Sequence, residues 1–67
     1  MARLRRFPDN RFVGVRDRMT VYDCDDGEQF AELERRLDEE DLLGRALLSS
    51  FGPDTLTEAR NRGFRAR

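Results

Sequence analysis

Arg11-Phe12-Val13-Gly14-Val15-Arg16-Asp17-Arg18-Met19-Thr20-Val21-Tyr22 decides the fold class of this 67-residue chain. Two runs of β-forming residues, 12–15 and 19–22, flank the polar break Arg16-Asp17-Arg18, and such a pair across so short a break reads as a β-hairpin. Upstream, Pro8-Asp9-Asn10 is a turn cluster: Pro presets φ and Asp or Asn closes local hydrogen bonds. Arg3 to Phe7 would then be an edge strand, so the expectation within 3–23 is a hairpin or a three-stranded meander. Gly14 inside its strand marks a bulge or a close backbone approach.

Helical signals follow the hairpin. Asp26 with Gln29 three residues on forms a capping-box pattern, and Glu28 suits the positive end of a helix dipole. Phe30, Leu33 and Leu37 share one helical face, which predicts a helix over about 27–39. The acidic run Asp38-Glu39-Glu40-Asp41 is unfavourable at a helix end and favourable at a helix start, so a break is placed there. Leu42, Leu43, Ala46, Leu47 and Phe51 then predict a second helix over about 41–51, the alternative being one helix through 27–51. Gly52-Pro53 stops either version. Thr55 with Glu58 opens a third helix over about 56–62, closed by Gly63 and the apolar Phe64. The tail 65–67 is expected to be mobile.

The predicted architecture is a small α+β domain spanning 1–67 with frayed Arg-rich termini, its helices on one face of the strands. The expected core is Phe12, Val15, Val21, Phe30, Leu33, Leu37, Leu43, Leu47, Phe51 and Leu56, with Phe7 and Phe64 sealing its edges. At this length only about 60% of the unfolded surface is buried, so the core is thin. Leu, Val and Phe number sixteen, enough for a folded rather than a disordered chain.

All thirteen cations are arginines, and charge is sorted along the chain. Residues 1–18 carry a net +4, residues 19–45 a net −7 and residues 46–67 a net +2. A near-neutral total hides a basic–acidic–basic pattern, which points to charged partners. Lys, His, Ile and Trp are absent. Lys and Ile have AT-rich codons and Arg, Ala and Gly GC-rich ones, which points to a high-GC genome, bacterial or phage, so part of the arginine bias is genomic.

Asp23-Cys24-Asp25, between a strand and a helix, superficially resembles the nucleophile motif of haloacid-dehalogenase-type phosphotransferases. The chain is too short for their doubly wound domain, has Gly27 where the motif wants a hydroxyl residue, and lacks their lysine. Helix capping accounts for the acids instead. A calcium loop fails too, because Tyr22, Cys24 and Leu33 would occupy positions that need acids. With no His, Cys–His catalysis is ruled out, and one Cys with no His argues against a zinc site. No Gly-rich phosphate loop is present. No cofactor, no metal and no enzymatic activity are expected.

Met1–Phe7 is Arg-rich with no apolar run after it, and nothing is long enough to cross a bilayer, so a cytoplasmic protein without membrane contact is expected. The candidate binding residues are Arg3, Arg5, Arg6 and Arg11 near one end and Arg60, Arg62 and Arg65 near the other. They interleave with aromatics, as in many RNA binders, and are expected to converge on one surface. The expected function is a small non-enzymatic adaptor that docks on a larger protein or nucleoprotein assembly through these basic ends and an acidic helix. The alternatives are a nucleic-acid-binding regulator, ribbon–helix–helix-like or RNA-binding, and a phage-encoded inhibitor of a host protein. A homodimer is compatible with each.

Overall fold

The hairpin forms where the sequence places it. In a computed structural model that describes residues 3–67, β1 (Phe12–Val15) pairs antiparallel with β2 (Thr20–Asp23), Val13 opposite Tyr22 and Val15 opposite Thr20. Asp26 caps the helix α1 (Gly27–Glu39), its carboxylate accepting from the Glu28 and Gln29 amides at 3.0 and 3.3 Å. Thr55 caps α2 (Leu56–Asn61) through the Glu58 amide, and Gly63 leaves that helix at φ 91°, a conformation glycine adopts without penalty.

Among the described residues the sheet has four strands in the order β3-β1-β2-β4. β3 (Leu48–Ser49) pairs antiparallel with β1, and β4 (Arg65–Ala66) pairs parallel with β2. Three expectations need correction. Arg3 to Phe7 forms a tight turn with a single Leu4–Phe7 bridge, not a strand. The expected helix over 41–51 is absent. Residues 42–46 make turns, with Asp41 and Ala46 at φ 50° and 56°, and the Arg16 amide extends the β1–β3 pairing by donating to the Leu47 carbonyl at 2.8 Å. Pairing with the open edge of β1 overrides the local helical preference of this Leu-rich stretch. The tail is likewise drawn into the sheet as β4, the Arg65 amide bonding the Met19 carbonyl at 2.8 Å. Met1 and Ala2, within the expected frayed N-terminus, lie outside the described residues.

The helices cover opposite faces of the sheet, not one. On the α1 side, Val13, Val15, Tyr22 and Cys24 pack with Leu33, Leu42 and Leu4. On the α2 side, Val21 packs with Phe51, Ala59 and Phe64, and Phe12 and Leu56 fill in around them. Phe64 is therefore core and not edge, and Leu43, expected inside, is 44% exposed.

Gly14 lies where the second cluster closes. A β-carbon there would stand 2.5 Å from Phe64 Cε2 and 2.9 Å from Phe51 Cζ, so the close backbone approach is real. Gly14→Ala is expected to destabilise by about 1–3 kcal/mol through overpacking, read as a lower urea midpoint. An unchanged midpoint would show that the two rings yield freely.

Candidate functional site

Among the described residues, Met19 and Leu43 are the large apolar side chains left exposed, at 37% and 44%. Each marks one of two charged surfaces at opposite edges of the sheet.

Met19 ends the four-residue loop between β1 and β2, at φ 48°, a left-handed conformation uncommon for a residue with a long side chain. The loop reaches across to Gly63, where a β-carbon would stand 3.6 Å from Met19 Cε. The register of β4, Thr20 opposite Arg65, sets Arg65 beside it. The C-terminal turn of α2 brings Arg60 and Arg62 to the same end of the sheet, and Arg18 precedes Met19 in the loop. All four arginines are exposed. Arg62 pairs with Glu58 at 2.8 Å, whereas Arg18, Arg60 and Arg65 make no ion pair among the described residues.

Leu43 belongs to a groove of about 350 Å³ at the other edge. One wall is the N-terminal turn with Leu4, Arg5 and Arg6; the other is the end of α1 and the turn after it, with Leu37, Asp38, Asp41 and Leu43. Leu48 of β3 joins them. Arg5, Arg6, Asp38 and Asp41 make no side-chain hydrogen bond or ion pair among the described residues.

The seven candidate arginines do not converge. Arg60 and Arg62 lie on the last turn of α2, Arg65 lies on β4 opposite Thr20 and so on the α1 side of the sheet, and Arg5 and Arg6 line the groove beside β3. Arg3 and Arg11 are held at the start of α1: Arg3 bonds Asp25 at 2.5 Å, and Arg11 grips Asp23 with two contacts of 2.9 Å and stacks 4.9 Å over the Phe12 ring. Local acids next to the strand thus absorb part of the N-terminal positive charge. Met19 and Leu43 escape a reading by pattern, because each fits an apolar run, one in a strand and one in a helix.

Between these surfaces lies a polar network that includes a buried cation. Arg36 is 2% exposed. Its guanidinium donates to both Glu40 oxygens at 3.0 and 3.1 Å, to Asp17 at 2.5 Å and to the Tyr22 hydroxyl at 3.2 Å. Tyr22 donates onward to Glu32 at 2.8 Å, and Arg67 also bonds Glu32. No buried side-chain polar atom lacks a partner among the described residues.

These pairings hold carboxylates below their ordinary range. Arg36 lowers Glu40, Arg67 and then Tyr22 lower Glu32, and Arg11 lowers Asp23. Burial pushes the Tyr22 phenol and the Cys24 thiol up, which keeps Cys24 protonated and unreactive near neutrality. A carboxylate depressed in the folded state stabilises fully above its unfolded value, about 4, and loses that contribution as pH falls through its folded value. The urea midpoint is therefore expected to fall steadily below about pH 4, and Glu40→Gln to flatten the fall. A Glu40→Gln profile parallel to wild type would disconnect Glu40 from the acid transition.

No group of three His, Cys, Asp or Glu side chains among the described residues could hold a metal ion, and no helix there is long and apolar enough to cross a membrane. No protein-family model matches the chain, no curated protein matches it, and no solved structure matches it.

Proposed function

We propose that this protein is a non-enzymatic adaptor that docks on a larger protein assembly through the β4 edge. Met19, exposed and reaching Gly63, with Arg18 and Arg62 next in the chain to these two residues and the Arg65 amide on its carbonyl, carries this reading. Met and Arg are the residue types enriched where proteins meet. A flexible thioether adapts to an apolar knob on the partner, and the surrounding guanidiniums select acidic neighbours by bidentate pairing. The left-handed Met19 backbone is an outlier of the kind that concentrates at functional loops. The partner surface would carry a Leu- or Phe-type residue ringed by Asp and Glu.

The nucleic-acid alternatives have less support. Base-stacking platforms need exposed aromatics, but Tyr22, Phe51 and Phe64 are buried and Phe7, Phe12 and Phe30 are half-buried. A ribbon–helix–helix protein needs its strand free to pair with a second chain, yet β2 is occupied by β1 and β4 on its two sides, and the helix expected over 41–51 is absent.

The test is an NMR titration with three probes: a Leu-bearing poly-Glu peptide, a DNA duplex and a single-stranded RNA. The peptide is expected to shift the amides of 18–20 and 60–65, and Met19→Glu with Arg65→Glu to abolish those shifts without changing the thermal melt. Tighter binding of either nucleic acid, with a steep salt dependence, would overturn the adaptor reading, as would peptide shifts confined to other residues.

A further inference from the structure

We infer that the groove beside Leu43 is a self-association surface whose occupant is a second copy of this chain. A two-fold interface uses the same patch on both copies, so that patch must be complementary to itself. The groove meets this requirement. Its N-terminal wall carries Arg5 and Arg6, its opposite wall carries Asp38 and Asp41, and Leu43 stands exposed on the acidic side. A two-fold rotation about an axis through the groove lays the basic wall of one copy on the acidic wall of the other, twice over. It also brings each Leu43 toward the leucines lining the other copy's groove.

Charge separates this occupant from the alternatives. Two arginines against two aspartates leave the groove with no net charge, so a strongly acidic or basic partner gains little there, unlike at the β4 edge. None of the four side chains is used within its own chain among the described residues, so association would not first have to break an existing pair. The lining is far smaller than the roughly 20–30 residues per side of a stable complex, so the dimer is weak and forms only as concentration rises.

The experiment is sedimentation equilibrium of the full chain from micromolar to millimolar concentrations. Three samples are compared: wild type, Arg5→Glu with Arg6→Glu, and Asp38→Arg. Asp41 is left alone because its backbone is left-handed. The substituted side chains are exposed and unpaired, so thermal melts should match wild type and confirm folding. Wild type is expected to dimerise, and each variant alone to associate at least about tenfold more weakly, because like charges now face each other. Mixing the two variants one to one is expected to restore association, because an acidic wall again meets a basic one. A wild type that stays monomeric throughout overturns the inference. So does a dimer indifferent to both variants, or a loss that mixing does not repair.

Discussion

Arg36→Ala is expected to destabilise the protein strongly, lowering its urea midpoint well below that of wild type. Removing Arg36 takes a donor from the Tyr22 hydroxyl and empties a buried place, while Asp17 and Glu40, partly open to water, recover hydration, so the loss is smaller than for a fully buried pair. A single core in a domain of this size supplies about 3–5 kcal/mol in all. Arg36 ties three elements together at one point: the hairpin loop through Asp17, β2 through Tyr22, and the end of α1 through Glu40. Its aliphatic stem also lies inside the α1 layer, so packing is lost along with charge. Arg36→Lys keeps the charge but not the two-pronged grip on Glu40 and is expected to fall between wild type and Arg36→Ala. Urea melts followed by circular dichroism decide the matter. An Arg36→Ala midpoint within error of wild type would mean that the network is ornamental.

Phe64→Ala is expected to cost about 3–5 kcal/mol on the opposite side of the sheet. The ring is 5% exposed and meets Phe51 edge to face, centroids 5.2 Å apart at 81°. It also occupies the space above Gly14, and it anchors the residue before β4. Truncation opens a cavity where Gly14→Ala adds a methyl group. The two changes should therefore couple: Gly14→Ala, destabilising in wild type, is expected to become neutral or stabilising in the Phe64→Ala background. A double-mutant cycle measures this, and simple additivity would place Gly14 and Phe64 out of contact.

What could be read from the sequence was what local chemistry decides. The hairpin, the Asp26 and Thr55 caps and the Gly63 stop depend on residues within a few positions of one another. The 41–51 stretch was illegible because its conformation depends on a distant strand: Leu42, Leu43, Ala46 and Leu47 fit a helical period, but the open edge of β1 needed a partner and took Leu48 and Ser49. β4 has little strand propensity of its own and is held by the Phe64 anchor. The two-faced burial did leave a signal. Phe12-Val13-Gly14-Val15 is continuously apolar instead of alternating, the mark of a strand covered on both sides, and the one-faced expectation neglects it. The candidate site was half legible. The exposed arginines of α2 and β4 could be named, but which arginines their own neighbours neutralise depended on the distance from Arg3 and Arg11 to Asp23 and Asp25 in space.

The unequal lengths of the two helices also imply an expected order of assembly. A hairpin such as β1–β2 closes in about 1–10 μs. Both outer strands come from more than thirty residues away, and closure entropy grows by only about 0.6 kcal/mol per doubling of loop length, so the chain between them hardly favours either edge. The helices decide instead. α1, at 13 residues, follows the hairpin directly, while α2, at 6 residues, is far too short to persist before it docks. The α1 layer is therefore expected to assemble first, and the α2 layer to close last and open first. In the interval Phe12 and Val21 on the hairpin stand in water, and so do Phe51 and Phe64 on the undocked segments. Early hydrogen exchange, proteolytic nicking and aggregation should all begin on that side of the molecule.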